Sequence, residues 1–215
     1  HYYQEMLAGL GLTPGKDQLE LFLAADVKQS AEQGLQLCFS QQRGRVPVVG
    51  LNPGAAYGPA KRWPAEKFGR LAQLVCSQTD ALLLIFGTNA DCEAAARIAA
   101  AVPEHARTGI VDLTGKTNLA TAMAYIDRCD AFVTNDSGLM HVAAALKTPT
   151  VAIFGSTDHV ATGPFSDQAR IIRKPMACSP CKETHCPQNH FQCMEQISAQ
   201  EVFAAVQVFL HSHSD

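Results

Sequence analysis

Two hydrophobic rhythms divide the chain. From about residue 46 onward, short runs that are apolar at nearly every position (46–51, 81–86, 109–113, 130–134, 150–154 and 169–172) alternate with longer stretches. In those stretches, 64–77, 90–101, 118–129 and 137–146, the apolar residues recur at helical spacing. Strands that are apolar on both faces and separated by segments containing a helix predict a parallel sheet covered on both sides. The pattern therefore predicts an α/β fold, a doubly wound parallel sheet of about six strands.

The two ends read differently. Residues 1–44 form a helical lead-in: Tyr2, Tyr3, Met6 and Leu7 share one helical face, Thr13-Pro14-Gly15 makes a turn, and Asp26 is placed to cap a helix from Val27 to about Phe39. At the other end Val202, Ala205, Val206, Phe209 and Leu210 form one face of a helix, and Ser198 with Glu201 has capping-box spacing. Residues 45–215 are thus the folded unit that carries the chemistry.

Composition narrows the class without naming it. The chain has 215 residues, 47% apolar and 17% charged, with a formal charge of −3. Those values exclude collagen-like, disordered and strongly basic nucleic-acid-binding chains. The longest purely apolar run, Ala81 to Phe86, is far short of the roughly 18 residues that a membrane-spanning helix requires.

Ligands of open parallel sheets bind beyond the carboxyl ends of the strands. Five successive strand ends here present glycine with small polar residues: Asn52-Pro53-Gly54, Gly87-Thr88-Asn89, Thr114-Gly115, Asn135-Asp136-Ser137-Gly138 and Gly155-Ser156-Thr157-Asp158. Each alone is an ordinary turn or cap; the set predicts a polar ligand site. In the fourth, Asp136 or Ser137 caps a new helix and Gly138 leaves its first turn uncovered, so free N–H groups and the positive helix end suit a phosphate. His141, one turn in, is either a partner for that anion or a satisfied helix histidine. Lys61 and Arg62 end the long loop after the first strand and are placed to neutralise phosphate charge. Walker, Gly-x-Gly-x-x-Gly and Gly-x-Ser-x-Gly spacings are missing, which argues against P-loop enzymes, common dinucleotide oxidoreductases and serine hydrolases.

The cysteines fall into two sets. Cys38, Cys76, Cys92 and Cys129 are scattered through apolar or helical sequence and read as packing residues. Cys178, Cys181, Cys186 and Cys193 lie close together with His185 and His190 between them, and only the first pair has ordinary zinc-ligand spacing. A structural zinc site, a local disulfide cluster and reduced thiols ordering a loop all remain open.

The loop 52–64 with its Lys61-Arg62-Trp63-Pro64, the element Thr134-Asn135-Asp136-Ser137-Gly138-Leu139-Met140-His141, and the 178–193 segment followed by Met194 together resemble the C-terminal half of family 9 glycosyltransferases. The resemblance implies a Rossmann-like domain of a GT-B enzyme, in which a further domain preceding His1 would hold the acceptor and the catalytic base. It implies transfer of heptose from ADP-heptose, with inversion, to the inner core of lipopolysaccharide, through the lipid A-core acceptor at the cytoplasmic membrane face. No obligatory metal and no nucleic-acid partner are implied. By the same resemblance Lys61 contacts the donor phosphates or sugar, Asp136 the heptose, the Ser137 and Gly138 N–H groups the diphosphate, and His141 lies beside them. Asn89 stands where the family usually has an acidic residue for the ribose, and Thr117 near the adenine pocket. Lys61 and His141 would support the transition state. A UDP-sugar epimerase of similar architecture and a non-catalytic nucleotide- or metal-binding module are the alternatives.

Overall fold

The computed structural model describes residues 2–15, 18–38 and 45–212. Phe39, the boundary placed at residue 44, and the side chains of Tyr2, Tyr3 and Cys38 lie outside what is described. In chain order the elements are α1 (Tyr2–Gly9), α2 (Ala25–Cys38), β1 (Val48–Asn52), α3 (Ala65–Gln78), β2 (Leu82–Ile85), α4 (Cys92–Ala101), β3 (Ile110–Asp112), α5 (Leu119–Arg128), β4 (Ala131–Asn135) and α6 (Gly138–Ala145). They continue as β5 (Thr150–Phe154), α7 (His159–Thr162), β6 (Ala169–Arg173), α8 (Gln192–Glu195) and α9 (Ala199–His211). Short 3-10 turns at Pro59–Lys61, Asn89–Asp91 and Glu104–Gly109 were not anticipated from the sequence.

All six strands are parallel, in the order β3-β2-β1-β4-β5-β6. The doubly wound expectation holds, and each strand lies within two residues of its predicted bounds. Because successive strand residues face opposite sides, each apolar run serves two cores. Val49, Leu51, Leu83, Ile85, Val133 and Ile153 face a layer that includes α3, α4 and α9. Val48, Leu82, Leu84 and Phe132 face the other side, with Leu35 of α2 and Ala122 and Ile126 of α5. Gly50 is required by this arrangement, since a Cβ there would stand 2.6 Å from the Phe132 ring. Helix α2 is bound to the unit by ion pairs as well: Lys28 with Asp127 at 2.7 Å, and Glu32 with Arg128 at 3.1 Å.

Two details depart from expectation. Asp26 does not cap α2 but lies inside its first turn, because Lys28 N–H already donates to Ala24 C=O and the helix starts earlier. A carboxylate there still complements the helix dipole. Cys92 is exposed rather than packed, because it is the first residue of α4. Cys129 is buried and Cys76 partly so, and burial pushes both thiols up.

At the far end of the chain, Trp63 Nε1 donates to Ile197 C=O at 3.1 Å and packs edge-on against Phe68 at 4.8 Å between centroids. That joins the start of α3 to the turn before α9. There the expected capping box forms: Ser198 Oγ accepts from Glu201 N–H, and Glu201 accepts from the Ser198 backbone N–H at 3.0 Å. Lys174 also donates to Glu201, and these contacts lower the Glu201 carboxyl from 4.5 to about 2. A carboxyl with a depressed folded-state pKa contributes stability that is present above its unfolded value and lost as pH falls through the folded value. Glu201→Gln is therefore expected to cost about 0.5–1 kcal/mol at neutral pH. In urea titrations the difference from the parent should narrow as pH drops from 4.5 toward 2; a gap independent of pH would show that the carboxylate charge contributes nothing.

Candidate functional site

The order of the strands reverses direction between β1 and β4, and there the connections from the two strands leave the sheet on opposite sides. A crevice opens at such a point for topological reasons alone. Buried amides finish it. Asn135 Nδ2 donates to Pro53 C=O at 2.7 Å while its Oδ1 accepts from Trp63 N–H at 3.0 Å, so one side chain holds both ends of the 53–63 loop. Asn52 Nδ2 donates to Thr134 Oγ1 at 2.9 Å and Ser137 Oγ at 2.8 Å. Thr134 Oγ1 gives its own proton to Asn135 C=O, so the 3.1 Å contact between the two hydroxyls has Ser137 as donor.

This network determines what the first turn of α6 does. Ser137 occupies the N-cap position but makes no side-chain cap bond, its hydroxyl being committed to Asn52 and Thr134. The first N–H groups of a helix have no partner within it. Here they open at Gly138, where an added Cβ would meet nothing within 4 Å. Asp136, expected first as a cap, does not cap the helix. It is 5% exposed and paired with Lys61 Nζ at 2.8 Å, and the lysine is itself 14% exposed. Asp136 also accepts from Thr162 Oγ1 of α7 at 3.2 Å, and Lys61 lies over the Tyr57 ring at 4.8 Å.

On the β2 side of the α6 N-terminus lies a cleft of about 730 Å³. Phe86, Leu119, Leu139 and Val142 give it apolar surface, and Asn52, Thr88, Asp91, Thr117, Ser137 and Gly138 give it polar edges. Three of the five strand ends predicted to share a site do so, joined by Thr117 from the loop after β3. Thr114 is instead buried against Asp112, its hydroxyl donating at 2.6 Å. The end of β5 turns toward the cysteine segment: an added Cβ on Gly155 would stand 2.9 Å from Met194 and 3.0 Å from Cys193.

Of the other candidate residues, Arg62 borders the cleft and clasps its own loop, donating from Nε and Nη2 to Ala55 C=O at 3.2 and 3.1 Å. Asn89 is exposed and does not line the cleft; its Oδ1 fills the space over Gly115, where a Cβ would lie 1.8 Å away. The carboxylate that does reach the cleft is Asp91, whose Oδ2 accepts from Thr88 N–H at 2.8 Å and Thr88 Oγ1 at 2.9 Å. The Thr88-x-x-Asp91 capping spacing was readable in the sequence and was missed. His141 is exposed in α6 and stands outside the cleft lining. Thr162 had no sequence signal, since its contact with Asp136 spans two strands.

The four clustered cysteines carry no disulfide and line one small cavity of about 20 Å³ with Ala60, Ser156 and His190. Backbone N–H groups of Phe191, Gln188, His190 and Asn189 hold the Cys186 thiol below its ordinary range, whereas burial and the three neighbouring thiols push Cys193 up. Among the described residues, no three His, Cys, Asp or Glu side chains are arranged, as they stand, to hold a metal ion.

The sequence has clear relatives. It is 47% identical over 130 residues to lipooligosaccharide heptosyltransferase 2 of Haemophilus influenzae, covering 60% of this chain and 37% of that protein. It is 37% identical over 175 residues to lipopolysaccharide heptosyltransferase 2 of Escherichia coli, covering 81% and 49%. Among solved structures, Escherichia coli ADP-heptose lipopolysaccharide heptosyltransferase II superposes with a TM-score of 0.76 at 31% identity, covering 95% of this chain and 55% of that one. The chain thus spans about half, or less, of the length of these relatives. The family model of glycosyltransferase family 9 (heptosyltransferase) matches residues 6–192, and the chain belongs to that family.

Proposed function

We propose that this chain is the donor-binding half of a heptosyltransferase that transfers heptose from ADP-heptose to the inner core of lipopolysaccharide. One observation carries the reading: the uncapped N-terminus of α6 lies between an apolar-walled cleft and the buried Lys61–Asp136 pair. A nucleoside diphosphate sugar has the same three-part chemistry. In this reading the adenine lies against Phe86, Leu119 and Val142 with Thr117 at its edge, and the ribose hydroxyls meet Asp91 in place of the expected Asn89. The diphosphate is held by the Ser137 and Gly138 N–H groups, and the heptose meets Asp136.

The chemistry follows from charge. Breaking the glycosidic bond to ADP builds negative charge on the departing phosphate, and preorganised donors at that position lower the barrier. The helix end supplies fixed N–H dipoles. Lys61 has three donors and gives one to Asp136, which orients the ammonium and leaves others for phosphate oxygens. His141 is the further support at the same helix end. Inversion also needs a base for the acceptor hydroxyl; no carboxylate of this chain is assigned that role, and base and lipid A-core acceptor contacts are attributed to the rest of the enzyme. Support for heptose over a UDP-sugar epimerase comes from the relatives, which are named as heptosyltransferases. No helix among the described residues is long and apolar enough to cross a membrane, and the proposed site of action is the cytoplasmic membrane face.

Calorimetry on the folded chain is expected to show ADP binding in preference to UDP, and no binding at millimolar ADP would remove the reading. Gly138→Ala should leave thermal stability unchanged, since the methyl enters open space, yet weaken ADP about tenfold, roughly 1.4 kcal/mol, by crowding the helix end. Lys61→Ala should weaken ADP-heptose binding and, by leaving Asp136 buried beside Thr162 alone, cost about 3 kcal/mol in urea unfolding. The double variant Lys61→Met with Asp136→Asn should recover much of that stability but not the binding. Equal instability of the single and double variants would show that the unpaired Asp136 charge is not the source of the loss.

A further inference from the structure

The donor-site reading leaves the 176–193 segment without a role. Its four thiols all line one cavity, and that cavity has a second feature. Ser156, 1% exposed at the end of β5, lines it, and its hydroxyl is the buried side-chain polar atom that finds no hydrogen-bond partner among the described residues. Leaving a buried hydroxyl unpaired costs on the order of 1–3 kcal/mol, so its presence beside four thiols points to something polar that belongs there. The cavity's 20 Å³ matches about one water-sized sphere.

The backbone around the thiols is held in an unusual conformation. Lys182, directly after Cys181, has a φ of 62°, and Asn189 and Phe191, after Cys186, have φ of 54° and 48°. Left-handed conformations are unfavourable for such residues unless the surroundings require them. Here they fold the segment back on itself, with Asn189 N–H donating to Cys186 C=O at 3.0 Å, so that Cys186 and Cys193 line the same cavity as Cys178 and Cys181. Cys193 reaches the cavity from α8, and an added Cβ on Gly155 would stand 3.0 Å from its sulfur. The sulfurs do not already stand at coordination distances, but each moves on a single rotatable bond around a space for one sphere.

We propose that Cys178, Cys181, Cys186 and Cys193 bind one thiophilic divalent cation, zinc, and that this site braces the turn carrying Lys61. Four thiolates in tetrahedral array, each about 2.3 Å from the metal, make a closed structural zinc site with no open position for catalysis. When bound, the cation would supply cross-linking and charge neutralisation only. Binding releases the thiol protons to solvent and changes no oxidation state.

The brace runs through the backbone. Ala60 lines the thiol cavity, and its N–H donates to Thr184 C=O at 3.1 Å; Gly58, with φ 150°, sits so close to the same carbonyl that a Cβ would be 2.4 Å away. Lys61 is the next residue. On the opposite side Ser179 Oγ donates to Gly155 C=O at 2.5 Å and Lys182 N–H to Ser156 C=O at 2.7 Å, fastening the loop to β5. Fixing the four thiols therefore fixes the surface on which the Pro59–Lys61 turn rests. This second half depends on the donor-site reading; the metal site itself does not.

The test uses the reduced chain, purified without chelator and offered Zn²⁺ alone. Elemental analysis should find one zinc per chain after gel filtration, and Co²⁺ in its place should give thiolate-to-metal charge-transfer absorption. Cys181→Ser with Cys186→Ser should abolish both. Should that variant fail to fold, the parent chain is stripped by chelator instead, with increased hydrogen exchange expected across 176–193 and unchanged exchange in β1 and β4. Zinc removal should weaken ADP at least about fivefold, and ADP should tighten zinc by the same factor. Four reduced thiols with no retained zinc, or two disulfides by mass spectrometry of the unreduced chain, would overturn the metal site. Bound zinc with unchanged ADP affinity would overturn the brace, while zinc-loaded chain that binds no ADP at all would sink the donor-site reading and leave the metal site standing.

Discussion

The parallel pairing of β1 with β4 is the constraint on which the rest of the site depends. It sets Asn52 beside Thr134, in register, at the carboxyl edge of the sheet. Both residues are buried, as is Asn135, and a buried amide without partners is costly. The partners that satisfy these amides are the Pro53 carbonyl, the Trp63 N–H and the Thr134 and Ser137 hydroxyls, so polar satisfaction in the core and placement of the loops are the same event. Any shift of the 53–63 loop breaks a buried hydrogen bond, which is why a loop with a Gly-Ala-Ala stretch can hold a lysine in a defined place.

A second consequence concerns charge. Lys61 and Asp136 are brought together from opposite sides of the switch point, 75 residues apart in sequence. In the poorly solvated edge of the fold each charge requires the other, and neither alone would be tolerated without cost. Ser137, diverted from capping, leaves the positive end of α6 unanswered. The fold thus holds one internally neutralised pair beside one unneutralised dipole, an electrostatic arrangement that favours an anion at the helix end over one at the lysine alone.

The cysteine segment extends this logic outward. It is attached to the loop after β5 on one side and to the Pro59–Lys61 turn on the other, so it bridges two connections that the sheet itself does not join. A segment with little regular structure can do this only if something other than backbone ladders holds it. The convergence of four thiols and an unpartnered hydroxyl on one cavity is the feature that fits that need.

Apolar runs and helical spacing determined the six strands, the doubly wound class and the flanking helices, because continuous burial on both faces leaves a local and periodic mark in sequence. The small polar residues after the strands marked the site, and Ser137, Gly138 and Thr117 border the cleft that the fold forms. Which strand ends shared it was not legible: the ends of β3 and β5 have the same residue types as those of β1, β2 and β4, and only strand order separates them. The same holds for Asp136, which reads as a cap until Lys61 arrives from another loop, and for Asn89, displaced from the cleft by its packing over Gly115 while Asp91 faces inward. Local chemistry is written along the chain, whereas the pairing of charges and the choice of facing residue are set by contacts between distant segments, which only the tertiary structure brings within reach.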